Sequence, residues 1–120
     1  MTSKESRAVD YLNHIRDAIE RIESYTSELD ENTFLSDELV QDAVIRNLEV
    51  VGEASNNLLK NCPITVSKFP DIPLTSAYQM RNAIAHGYFK IDYELVWRTI
   101  ERELPTMHEQ VKEALEKVAK

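Results

Sequence analysis

One short stretch, "MRNAIAHGYFKID" from Met80 to Asp92, carries the residues best suited to chemistry: Arg81, Asn82 and His86, followed at once by Gly87 and Tyr88. Asn82 and His86 are four apart, so a helix places them on one face. Arg81 and His86 are five apart, roughly 140° around a helix axis at 100° per residue. Their tips converge only if the long arginine reaches around or a second copy of the chain completes the site. That geometry points to a dimer cleft. Arginine grips a phosphate through a two-pronged fork, and histidine titrates near neutrality and can move a proton. The pair suits RNA cleavage in which the ribose 2′-hydroxyl attacks its own phosphate. That reaction needs no metal, and no cofactor is expected. His14, His86 and His108 show no ligand spacing, and Cys62 is the single cysteine. A plainer use exists for the same residues. Arginine and histidine near a helix C-terminus complement its dipole and bond its free carbonyls, and Tyr88 can be a packed ring with a wet hydroxyl. Spacing alone leaves both readings open.

The elements that must position this stretch are helical. Ala8, Leu12, Ile15, Ile19, Ile22 and Leu29 form an apolar stripe at three-four spacing from about Ser3 to Leu29. Thr2 and Glu5 have the spacing of a capping box at its start. "LDENTF" breaks the pattern. A second helix is expected from Ser36, with Asp37 and Glu38 in its first turn; its stripe runs Val40, Ala43, Val44, Leu48, Val51, Ala54, Leu58 and Leu59. Gly52 lies inside it, where glycine costs roughly 1 kcal/mol against alanine, so the close approach of a neighbouring backbone is expected there. "NCPITVSKFPDIP" reads as irregular; "ITV" has strand character but nothing in the chain to pair with. A third helix spans about Leu74 to His86, ended by Gly87 in a left-handed cap. Asp92 caps a fourth, with Leu95, Val96, Ile100, Leu104, Met107, Val111 and Leu115 as its stripe, and Pro105 should kink or restart it.

The totals agree. The chain has 120 residues, the length of one domain, and 42% are apolar, enough for a small core. Two glycines and four prolines leave little room for the turns of a sandwich or barrel. The fold class is therefore all-α, four or five helices in an up-down bundle. Acidic residues outnumber basic ones by 21 to 14, and the net charge of −7 argues against a general nucleic-acid coat protein, though not against a local basic cleft. It also suits a partner with a basic surface. "MTSKESRAVDYL" has no apolar signal core, no apolar run is long enough for a bilayer, and one cysteine implies no oxidising compartment. The expected location is cytoplasmic, with no membrane partner.

Arg46, Glu49 and Glu53 share one side of the second helix. They can form a solvated salt-bridge ladder; alternatively they wall the cleft, with Arg46 assisting phosphate binding. His14 and His108 read as surface residues, Cys62 as a packed or idle thiol, and Trp97 as core or dimer interface. Asp17, Glu20, Glu23, Glu101 and Glu103 read as solvated faces.

"RNAIAHGY" resembles the R-x4-6-H motif of the HEPN family, in the R-x4-H-x-Y form of its HepT-like toxin branch. "YLNHIRDAIERIESYT", "DAVIRNLEVVGEAS", "MRNAIAHGYFKIDYELVW" and "TIERELP" resemble further blocks of that branch in the same order. The resemblance implies one HEPN domain over residues 1–120 that pairs as a homodimer, with a cleft that cuts RNA without metal. It implies a type II toxin–antitoxin system in which a minimal nucleotidyltransferase antitoxin transfers AMP to the motif tyrosine. Carried onto this chain, Arg81 and His86 are catalytic, Asn82 supports them, and Tyr88 is the modification target. The branch often has tryptophan where Leu74 stands, a difference of packing rather than chemistry. Some HEPN proteins instead serve as the nucleotide- or substrate-binding subunit of a two-component nucleotidyltransferase and cut nothing. A structural dimer whose motif only caps a helix is the third possibility.

Overall fold

The computed structural model describes residues 4–86 and 91–118. Thr2, Gly87 and Tyr88 lie outside them, so the expected capping box, glycine cap and modification target fall outside the described residues. Among the described residues there is no strand. A 3-10 turn (Lys4–Arg7) leads into α1 (Ala8–Thr26), followed by α2 (Glu31–Ser36), α3 (Glu38–Asn61), α4 (Pro63–Lys68), α5 (Leu74–Ala85), α6 (Tyr93–Arg102) and α7 (Leu104–Val118).

Aspartates start three of these helices. Asp30 accepts from the backbone N–H of Thr33 at 2.8 Å, Asp37 from that of Val40 at 3.1 Å, and Asp92 from that of Leu95 at 3.1 Å. Each satisfies one of the donors a helix start leaves free. Asp92 is the expected cap, and Asp37 places the start of α3 one residue beyond Ser36. Pro105 restarts rather than kinks: α6 ends at Arg102 and α7 opens at Leu104, with the proline in its first turn, where its missing N–H costs nothing.

The α1 stripe is buried from Ala8 to Ile22. It packs against α3 and α7, while α3 runs between α1 and α5. Contact on two sides explains why α3 buries Ile45, Asn47, Gly52 and Ser55 besides its expected stripe. Leu29 falls beyond the end of α1 but still packs on the core. Phe34 is fully buried, with its ring centroid 5.2 Å from that of Trp97 and 6.2 Å from that of Tyr93. Trp97 is therefore a core residue joining α2 to α6.

Two stretches differ from expectation. "LDENTF" holds the start of α2, which Asp30 caps and Gln41 secures, its side-chain amide donating to the Phe34 carbonyl at 2.9 Å. "PITVSK", expected to be irregular, is α4, opened by Pro63 in its first turn. The cap of α4 comes from far along the chain. The Glu5 carboxylate accepts from the N–H of Ile64 at 2.7 Å and of Thr65 at 3.3 Å, and from the Thr65 hydroxyl at 2.9 Å. Glu5 thus serves as the cap of α4.

Burial alone would raise the Glu5 carboxyl, but these hydrogen bonds and the charge of Lys68 outweigh it and hold the group below its ordinary value of 4.5. A depressed carboxyl contributes stability above its unfolded pKa and loses it as pH falls through the folded one. Glu5→Ala should therefore cost about 1 kcal/mol at neutral pH, and the difference from the parent should shrink as urea midpoints are measured progressively below pH 4.5.

Cys62 is buried, its thiol donating to the Lys4 carbonyl at 3.4 Å, and burial followed by the nearby Glu5 charge pushes its pKa up. It is a packed thiol. His108 is not a free surface residue: its Nε2 lies 2.9 Å from Glu20 Oε2, joining α7 to α1.

Candidate functional site

Helix α5 carries the polar cluster, and a close approach to α3 sets its position. A Cβ added to Gly52 would stand 2.8 Å from Arg81 Cγ and 2.9 Å from the Ala77 carbonyl oxygen. Only hydrogen fits there, so the glycine brings the two backbones together where Arg81 leaves α5. This is the close approach expected from the sequence, and its partner is Arg81 itself.

The Arg81 guanidinium turns across to α3. Nη2 lies 3.1 Å from Glu53 Oε2, and Nη1 donates to Asn82 Oδ1 at 3.0 Å. It is engaged by side chains rather than by the carbonyls at the end of its own helix. Asn82, half-buried, thus contacts the arginine directly.

Arg81 forms one wall of an open groove of about 300 Å³, shared with His14 of α1 and with Arg46, Glu49, Glu53 and Asn57 of α3. Arg46 is exposed and makes no ion pair among the described residues. The salt-bridge ladder is therefore not what this side of α3 forms: Glu53 pairs with Arg81 instead, and Arg46 lines the same groove. His14 is exposed, as expected, and faces this groove too, which its sequence neighbourhood did not signal.

His86 is the residue on which α5 ends. Its backbone N–H donates to the Asn82 carbonyl at 3.0 Å, and its side chain is exposed. It does not line the groove. The fold therefore groups Arg81, Asn82 and Arg46 and leaves His86 at the helix end, about 7.5 Å further along the axis by helical rise.

Helix α5 also has little cover. Leu74 is its one buried residue. Tyr78, Met80 and Ile84 are half-buried, and Ala83 and Ala85 are exposed. A deeper, largely apolar crevice of about 50 Å³ separates α5 from the α6–α7 junction, lined by Met80, Leu104 and Met107 among others. Among the described residues no group of histidine, cysteine, aspartate and glutamate is arranged to hold a metal ion, and no helix is long and apolar enough to cross a membrane.

The chain is similar to proteins named for RNA cleavage. A protein of Thermococcus cleftensis named "Probable ribonuclease HepT" is 40% identical over 82% of this chain and 86% of its own length. One from Methanocaldococcus jannaschii, named "Gamma-glutamylcyclotransferase and putative RNase", is 36% identical over 92% of this chain; the match spans 48% of that longer protein, about half its length. A second M. jannaschii protein, named as an RNase with the same qualifier, is 34% identical over 85% of this chain and 87% of its own length. No solved structure matches the chain. The family described as "Ribonuclease HepT-like" matches residues 15–114, a span that takes in α3, α5 and the whole polar cluster, and the chain belongs to it.

Proposed function

We propose that the chain is a metal-independent endoribonuclease, the toxin of a type II toxin–antitoxin pair, acting as a homodimer. The observation that carries this reading is the Arg81 site: a guanidinium held by Glu53 and Asn82 at the edge of an open groove, on a helix ending in an exposed histidine, in a HepT-like chain. The thin cover of α5 supports pairing through that helix. Apolar side chains left half-exposed on it gain from burial against a second copy, and a second copy brings another Arg81 and His86 to a common cleft.

In that cleft Arg81 grips the scissile phosphate and steadies the charge that builds on its oxygens. One His86 takes the proton of the ribose 2′-hydroxyl as its oxygen attacks phosphorus. The bond to the 5′-oxygen breaks, and a second imidazole, the partner copy's, returns a proton to it. The products are a 2′,3′-cyclic phosphate and a free 5′-hydroxyl. Arg46, on the groove wall, draws the neighbouring phosphate. The acidic exterior discourages RNA elsewhere and suits a basic partner.

Neutralisation falls to a nucleotidyltransferase antitoxin: the hydroxyl oxygen of Tyr88, two residues past His86 in sequence, loses its proton and attacks the α-phosphorus of ATP, the bond to the β-phosphate breaks, and pyrophosphate leaves. The adduct adds bulk and negative charge close in sequence to His86, which repels the RNA backbone. The test is one sample in two arms. Unmodified chain should cut RNA in EDTA; after incubation with the nucleotidyltransferase and ATP it should gain AMP mass on Tyr88 and stop cutting. Intact RNA in the first arm, with tight nucleotide binding, would replace the ribonuclease by a substrate-binding subunit.

A further inference from the structure

We infer that Glu53 is a positioning residue for the reaction, acting through Arg81; this rests on the ribonuclease reading of the site. A guanidinium has five N–H donors in one plane, and its use on a phosphate depends on how that plane is turned. Two groups set it here. Glu53 holds Nη2 from α3 at 3.1 Å, and Asn82 holds Nη1 from α5 at 3.0 Å. They take different nitrogens, so together they fix the rotation of the fork and leave its remaining N–H groups for a ligand. Gly52 is the immediate neighbour of Glu53 and brings α3 against the base of Arg81, so the short span of the ion pair is built into the backbone.

The pair is poor as a stabilising device. Glu53 is 55% exposed and Arg81 31%, and exposed ion pairs contribute little to stability. Its cost for RNA binding is plain: a carboxylate beside the phosphate-binding guanidinium repels the substrate. A residue with little stabilising value that opposes substrate charge fits a role in orientation. Its loss should then separate kcat from KM, because misorientation weakens grip on the transition state while removal of a negative charge favours ground-state binding.

The experiment compares parent, Glu53→Ala and Glu53→Gln. Glu53→Ala should lower kcat about tenfold or more, with KM for RNA unchanged or lower. Glu53→Gln keeps an accepting oxygen at the same place and should recover most of that loss. Independently of activity, the Arg81 Nη signals in 15N NMR should show hindered rotation in the parent and averaging in Glu53→Ala. A parent and Glu53→Ala with equal kcat, a raised KM at constant kcat, or Arg81 signals that do not change would each overturn the role of Glu53. A parent that cuts no RNA while its Arg81 signals respond to Glu53→Ala would overturn the ribonuclease reading instead.

Discussion

Arg81→Ala and His86→Ala should each reduce RNA cleavage by two to four orders of magnitude without unfolding the chain. Losing a positioned proton carrier costs about 10²–10⁴ in rate, and losing a fixed donor to a developing oxyanion costs about 10²–10³. Stability should change far less. His86 is exposed at the end of α5 and makes no side-chain hydrogen bond among the described residues, so its truncation leaves nothing buried and unpaired. Arg81 gives up a partly exposed ion pair of small value. Arg81→Lys is the informative control. It keeps the charge but loses the fork that spans Glu53 and Asn82, so RNA binding should survive better than turnover. If the two alanine variants instead lost several degrees in Tm and retained their rate, the residues would be helix-end stabilisers and the chemistry would lie elsewhere.

Gly52→Ala should destabilise the protein, although the helix propensity of the change runs the other way. In an uncrowded helix interior alanine is preferred by roughly 1 kcal/mol. Here the new methyl group would meet Arg81 Cγ at 2.8 Å and the Ala77 carbonyl oxygen at 2.9 Å. The outer part of the arginine stem can shift, but Arg81 Cβ, the nearest atom of all, and the Ala77 carbonyl are fixed to the α5 backbone and yield only if the helix moves. Overpacking of this kind costs about 1–3 kcal/mol, a fall in Tm on the order of 5 °C per kcal/mol for a domain of this size. Because α5 carries the cluster, the shift should reach the chemistry, and cleavage should fall with stability. Gly52→Val should be worse on both counts. A Tm rise for Gly52→Ala would mean that α3 and α5 are not held as closely as described.

The long helices were legible because their signals are local. A buried stripe recurs every three or four residues in α1, α3 and α7, and Asp92 marks a start by its side-chain chemistry, whereas Ser36, the start expected for α3, stands one residue before the capping Asp37. Gly52 advertised a close approach through its intrinsic cost, though not which residue approached. The short helices were not legible. Six residues make less than two turns, too few for a period to show, and "PITVSK" is rich in β-branched residues whose helical state depends on Pro63 and on a carboxylate 59 residues upstream. The same kind of partner hid the role of Glu53. On its own helix it looks like the end of a solvated ladder, and only the packing of α5 on α3 brings Arg81 to it. His108 and Glu20, 88 residues apart, are a further pair that no local spacing reveals. Within the cluster, the near-opposed directions of Arg81 and His86 were readable from helical geometry, and the structure keeps them apart within one copy.

That separation is why a paired site is proposed, and it gives the most direct measurement: the rate of RNA cleavage per chain, in EDTA, across a wide range of concentrations of the unmodified protein, with the dimer fraction measured alongside. The rate should rise with the dimer fraction and vanish with it on dilution. Equal activity in the monomer, or intact RNA once every chain is paired, would contradict a ribonuclease site shared between two copies of α5.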